Sequence, residues 1–392
     1  MQTGDGLTLA RETRAERVLT NARLILAEEV VQGTIALHGD RIHAVDFGRS
    51  ALPGAEDCEG DLLAPGLVEL HTDNLEKHMM PRPQAHWPAV PAVMAHDSQI
   101  AAAGITTVFD ALAVGTVAND GVRLQRLEEM VSAIEEARRE GLLKVDHLLH
   151  LRCEISFPDL AADFAGLVDK PGVRLISVMD HTPGQRQFTK LEVYRSYYMG
   201  KFGMSAEEME RFIDDRRADQ QRYAARHRRL VVEAAHARGL ALASHDDATP
   251  EHVAEAVADG MTLAEFPTTI ESAAASHQAG LAVMMGAPNL VRGGSHSGNV
   301  SAMDLARRGT LDAISSDYAP AALLPAAMML AEEVETISLP QAIAAVTKAP
   351  ALAAGLTDRG EIREGLRADL IRIRDAKHPI LRGVWRGGER VA

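Results

Sequence analysis

The sequence predicts an α/β fold, a (β/α)8 TIM-like barrel with a small β-sandwich domain formed by both chain ends. Through the middle of the chain, short apolar runs alternate with longer helical patterns, the rhythm of βα units around a parallel sheet. Eight such runs occur, the number a barrel needs, over about the ~250 residues usual for one. The two ends behave differently: apolar and polar residues alternate between Gly-bounded turns, as in half-exposed strands.

Residues 1–15 are polar and read as a disordered or polar extension, with no apolar run long enough for a signal peptide or anchor. From Val18 the stretch VLTNARLILAEEVVQGTIALHGDRIHAVDFG alternates, with turn pairs at Gln32-Gly33 and Gly39-Asp40. Residues 16–62 and 353–392 are therefore assigned to one composite β domain. The barrel takes 63–352, with strands expected at Leu63–His71, Ile105–Ala111, Val145–Ile155, Val173–Asp180, Leu240–His245, Leu263–Phe266, Ala282–Met285 and Asp312–Asp317. Helices are expected at Gly121–Glu140 and Asp214–Arg238. No Gly-X-Gly-X-X-Gly follows any strand, which disfavours an open dinucleotide-binding sheet. A helical excursion runs from about 184 to 238; Ser205 and Glu208 have capping-box spacing, so a helix starts there. Its place after a barrel strand puts it on the active-site face, where it can act as a lid. The basic stretch Arg222–Arg229 reads as a solvated face.

Composition narrows the function. The 392 residues carry 41 Lys and Arg against 55 Asp and Glu, a formal charge of −14. That balance excludes a nucleic-acid-coating protein and leaves no polybasic membrane patch. No apolar stretch approaches the ~18 residues of a membrane-spanning helix. The two cysteines, Cys58 and Cys153, have no metal-site spacing and read as reduced thiols in a cytoplasmic protein. An anionic small-molecule substrate is compatible with this balance provided its cations are gathered locally, and so is a homo-oligomer.

The chemical signal is a set of metal-capable side chains at strand ends. His71 and Asp73 form a His-X-Asp pair; two apart in extended chain, they would point to one side. Glu154, His181, His245 and Asp317 close four later strands. Any one alone is weak, but together they mark the rim where barrel active sites are built. Imidazole and carboxylate donors suit one or two divalent ions, zinc first, with manganese or iron compatible. Candidate anion-binding groups fall on or beyond the same strand ends: Lys77, His78, Arg82, Arg152, Arg186 and Lys190. Arg292, Ser295, His296 and Asn299 lie in a Gly-rich loop after the seventh strand, the usual place of a barrel phosphate site.

GLVELHTDNLEKH, MDHTPGQRQF, SHDDAT, EFPTT, APNLVRGGSHSGN and ISSDYAP, in that order, resemble the amidohydrolase superfamily. DNLEKHMMPRP and GGSHSGN narrow the resemblance to its phosphonate-catabolism branch. The resemblance implies a metal-binding barrel and His71 and Asp73 as first-strand ligands, where the superfamily more often has His-X-His. It further implies Glu154 as a ligand shared by two metals, His181 and His245 on the second metal, and Asp317 binding metal and handling the proton of the attacking water. The implied activity is cleavage of a ribose 1-methylphosphonate 5-triphosphate to the 5-phosphate and pyrophosphate. Rival readings are a cyclic-amide hydrolase or deaminase of the same superfamily, and a non-catalytic barrel subunit of a phosphonate-degrading assembly.

Overall fold

A computed structural model describes residues 17–82, 84–115, 121–188, 191–295 and 298–392. The expected extension 1–15 and the candidate residues Lys190 and His296 lie outside the described residues.

Eight strands pair in parallel in chain order: Leu67–Thr72, Ile105–Val114, Asp146–Glu154, Val173–Met179, Ala241–His245, Leu263–Glu265, Ala282–Gly286 and Ala313–Ser315. Alternate residues point inward, so Leu70, Phe109, Leu175, Ala243, Leu263, Met284 and Ala313 fill the interior as one apolar layer. The helix Lys348–Ala353 closes the end where the strands begin, with Thr262 Oγ1 donating to the Ala353 carbonyl at 3.0 Å. Among the described residues no backbone ladder joins the eighth strand to the first. Side chains close that seam. Ser315 Oγ lies 2.7 Å from both Glu69 Oε1 and the His71 carbonyl. Thr72 Oγ1 donates to the Asp317 carbonyl at 2.7 Å.

The expected first strand divides in two. Leu62–Pro65 pairs with Arg17–Ile25 and Leu370–Arg374 in the sheet from the chain ends, and only Leu67–Thr72 enters the barrel. Both halves are apolar, so periodicity does not separate them. Gly66 does: a Cβ there would collide with Thr106, so the chain crosses between sheets only without a side chain. Within the barrel strand the register slips between Glu69↔Val108 and Thr72↔Asp110, a bulge that re-aims His71.

Arg17–Ile25, Val30–His38, Arg41–Phe47, Glu56–Asp57, Leu62–Pro65, Leu370–Arg374, Ile380–Arg386 and Glu389–Arg390 form the second sheet. It folds over one core of Leu19, Leu24, Ile35, Ile42, Leu63 and Trp385, and its turn at Gly388 abuts the Gly39 carbonyl. The sandwich-like domain is thus a single hydrogen-bonded sheet drawn from both ends.

In the excursion, Leu191–Phe202 and Ala206–Arg238 are helices, the second opened by the Ser205–Glu208 capping box and closed by Gly239. Tyr194, Tyr198, Met209 and Ile213 pack the two together. The basic stretch is not all solvated. Arg228 is buried, pairing Glu255 at 2.9 Å and Asp259 at 2.6 Å, acids supplied by the helix after the fifth strand that no local pattern reveals.

Outside the barrel, between the helix Ala89–Ala102 and the second and third strands, lies a buried polar chain. Asp110 accepts from His96 Nε2 and His147 Nδ1, each at 2.8 Å, and Asp97 lies 3.3 Å from His147 Nε2. Burial alone would lower the His147 pKa; the two aspartates outweigh it and push it up to about 9. A raised histidine pKa stabilises the fold fully below the ordinary value of about 6.5 and loses that contribution as pH rises through about 9. The urea midpoint of the wild type should therefore fall between pH 6.5 and 9, and that of His147→Gln, lower throughout, should change less over the same interval.

Candidate metal centre and active site

At the C-terminal rim of the barrel, two imidazoles are fixed from behind by carboxylates. His181 Nδ1 lies 2.7 Å from Glu154 Oε2, and His245 Nδ1 lies 2.7 Å from Glu265 Oε2. With Nδ1–H donating, each ring turns Nε2 toward a common point, where Asp246 Oδ2 sits 3.4 Å from His181 Nε2 and 3.2 Å from His245 Nε2. That oxygen is buried and makes a good hydrogen bond with neither ring. Imidazoles backed by carboxylates with a third donor facing them are the arrangement of a divalent-cation site. These residues fit such an ion.

His71 joins the group from the first strand. Its Nδ1 lies 2.6 Å from Glu265 Oε1, and its ring stacks on His245 with centroids 5.7 Å apart. Glu265 thereby orients two rings at once and also accepts from Ser177 Oγ at 2.6 Å. His150 Nδ1 donates to the Leu70 carbonyl at 2.9 Å and its Nε2 meets Ser177 Oγ, supporting the rings from below. Burial pushes the Glu265 carboxyl up, but the His71 and His150 imidazoles and the bonds from His245 and His71 hold it well below the usual range. His181 is likewise depressed by burial, yet Asp246 and Glu154 raise it to about 9. The acidic groups around these rings demand positive charge.

Asp73 stands differently from expectation. The strand ends at Thr72, and Asp73 (φ −96°, ψ 15°) is the residue before the helix Asn74–Met79, so extended-chain spacing does not apply. It makes no capping hydrogen bond, although an aspartate there usually does, and its Oδ1 is buried without a partner. Burial and the Asp73 carboxylate push Asp317 up to about 6, against the opposing charge of Arg152. Asp246, Phe266 and Asp317 have φ of 57°, 56° and 54°. Three strands therefore leave the barrel through left-handed residues, a strained geometry that turns their ends over the site.

The structure thus brings His71, Asp73, Glu154, His181, His245 and Asp317 to one rim, with Glu154 standing behind His181. Arg152 lies on the same interior face, its Nε buried without a hydrogen-bond partner. Lys77 and Arg292 are exposed at the mouth on either side of Tyr318. His78 is held by Gln99 at 2.9 Å, and Arg82 is exposed in the following loop. Ser295 and Asn299 are half-buried in the loop after the seventh strand. Arg186 is drawn off elsewhere: it is buried against Asp247, reaches Glu255 at 3.2 Å and lies 3.3 Å from Ser244 Oγ. It anchors the start of the excursion to the tip of the fifth strand, because the acids beyond His245 meet it before solvent does.

Asp246, Glu265, Glu69 and Ser177 escaped the sequence reading. The available signal was a carboxylate inside an apolar strand, since Glu69 and Glu265 are both fully buried. Glu69 bridges the seam to Ser315 and Ser316.

Residues 200–392 match the amidohydrolase family. Over 376 residues, 95% of this chain and 100% of the relative, the chain is 48% identical to the alpha-D-ribose 1-methylphosphonate 5-triphosphate diphosphatase of Escherichia coli K12. The chain belongs to the amidohydrolase family. Solved structures share its fold. The N-acetyl-D-glucosamine-6-phosphate deacetylase of Mycobacterium smegmatis superposes with a TM-score of 0.62 at 17% identity, over 96% of this chain and 100% of that one. The 5-methylcytosine deaminase of Klebsiella pneumoniae gives 0.63 at 15%, over 96% and 98%. No helix among the described residues is long and apolar enough to cross a membrane.

In this amidohydrolase, Glu265→Gln should lower affinity for a divalent ion by about 10–100-fold, read by competition with a chromophoric chelator. Arg186→Ala leaves Asp247 buried without its cation and should reduce stability by about 3–5 kcal/mol in urea unfolding.

Proposed function

We propose that this amidohydrolase cleaves alpha-D-ribose 1-methylphosphonate 5-triphosphate to the 5-phosphate and pyrophosphate. The observation that carries the reading is the near full-length, 48% identity to the diphosphatase of that name. The rim of acids and imidazoles flanked by Arg152, Lys77 and Arg292 supplies matching chemistry. A lactam or nucleobase needs few converging cations; a triphosphate needs several.

His181, His245 and Asp246 would hold one divalent ion, and His71, Asp73 and Asp317 would hold a second. Zinc suits these donors best, with manganese and iron(II) also compatible. When bound, such an ion lowers the pKa of water from ~15.7 toward ~7 and neutralises phosphoryl charge. Asp317, held above the usual carboxylate range by burial and by Asp73, stands where it can take a proton. The water oxygen bonds to the phosphorus nearest the ribose as Asp317 accepts a proton from it. The bond from that phosphorus to the bridging oxygen breaks, and its electron pair leaves with pyrophosphate. Arg152 balances charge on the non-bridging oxygens. Glu154 and Glu265 keep the rings oriented. Both cysteines are buried and free, and burial pushes the Cys58 thiol up to about 11, which disfavours its reactive thiolate form.

The test is turnover by protein purified without chelators, with metal analysis on the same sample. Pyrophosphate and the 5-phosphate should appear in equal amounts. Asp317→Asn should keep its fold and lower kcat by about 10²–10⁴-fold. Ammonia or ring opening from a cyclic amide, with no pyrophosphate from the triphosphate, would overturn the assignment.

A further inference from the structure

Tyr318, immediately after Asp317, is where two cations from separate loops meet. Lys77 Nζ donates to the Tyr318 carbonyl at 2.6 Å and lies 5.2 Å from the centre of its ring. Arg292 Nη1 lies 3.4 Å from its phenolic oxygen. Lys77 follows the first barrel strand, Arg292 the seventh and Tyr318 the eighth, and the eighth strand lies between the other two in the barrel. One residue thus ties two loops through three contacts, its backbone carbonyl and ring to Lys77 and its hydroxyl to Arg292. Neither cation is ion-paired to a carboxylate among the described contacts, whereas Arg186, Arg228, Arg359, Arg367 and Arg372 all are. In a chain of formal charge −14, two exposed cations held together without acids are a place for an anion.

The geometry points to Tyr318 as the positioning residue that sets Lys77 and Arg292 as a clamp for the two outer phosphates of the substrate, the part that departs as pyrophosphate. The inference rests on the triphosphate reading given above. The outer diphosphate, rather than the phosphonate, fits this place for two reasons. It carries the greater charge, and it has to leave, so its site belongs at the exposed mouth rather than in the barrel interior beside Arg152. The tyrosine supplies two separable devices. Its ring faces the Lys77 ammonium as a cation–π partner, and its hydroxyl accepts from the Arg292 guanidinium. Without them, two flexible side chains would each lose rotamer freedom on binding, so affinity depends on the tyrosine although it need not touch the reacting phosphorus.

The experiment compares the wild type with Tyr318→Phe and Tyr318→Leu. It measures KM and kcat on the triphosphate, competitive inhibition by pyrophosphate and by methylphosphonate, and metal content. Tyr318→Phe removes only the hydroxyl and should raise KM and the pyrophosphate Ki by about 2–10-fold. Tyr318→Leu removes the ring as well and should raise both further, with metal content retained and kcat falling less than KM rises. Methylphosphonate inhibition should stay within twofold of wild type. Unchanged pyrophosphate inhibition in both variants overturns the clamp, as does a loss confined to kcat or a larger effect on methylphosphonate. If wild-type protein releases no pyrophosphate from the triphosphate, the substrate reading fails instead. If it turns over the triphosphate but pyrophosphate does not inhibit it, only the clamp fails.

Discussion

Glu265 is the constraint from which the site is built. A carboxylate with no exposure to solvent survives in a barrel interior only if strong donors surround it. His71, His245 and Ser177 supply them, from the first, fifth and fourth strands. The bonds that satisfy the carboxylate also fix both rings by one nitrogen each, leaving the other edge for a ligand. Glu154 repeats the device on His181. A buried acid that would be a liability alone becomes the jig that sets the imidazoles.

The scaffold serves the same end. The interior layer and the helix Lys348–Ala353 fill the lower barrel, so the polar side chains of the site stand above it, at the upper rim. The seam between the last and first strands is held by Glu69, Ser315 and Thr72 rather than by a ladder, and it joins the strand bearing His71 to the one leading into Asp317. Left-handed residues at 246, 266 and 317 bend three strands inward just beyond their last paired residues. Strain of this kind persists where surrounding packing over-determines it, and here it coincides with the acids that face the site.

Charge is distributed with similar economy. Buried and half-buried arginines are bound to acids that stitch elements together: Arg186 and Arg228 tie the excursion to the fifth strand and the helix after it, and Arg359 and Arg367 meet on Asp146. Arg152, Lys77 and Arg292, on the active-site face, have no carboxylate partner among the described contacts. The family fold is shared with enzymes that handle quite different substrates, so it is this local choice of residues that suits a polyphosphate.

Much of this was legible in one dimension. Periodicity located eight barrel strands and the mixed parentage of the second sheet, because an apolar run and an alternating run are consequences of which faces are buried. Capping chemistry located the start of the helix at Ala206, and strand ends located His71, Glu154, His181, His245 and Asp317. What only the tertiary structure decided was pairing across distance. Glu265 meets His71 from far along the chain, Arg186 meets Asp247 rather than substrate, Gly66 hands one apolar run from sheet to sheet, and Asp73 begins a helix. A residue's type declares which bonds it can make; which partner arrives depends on barrel closure and on the competition among buried charges, and neither is written in any local stretch of chain.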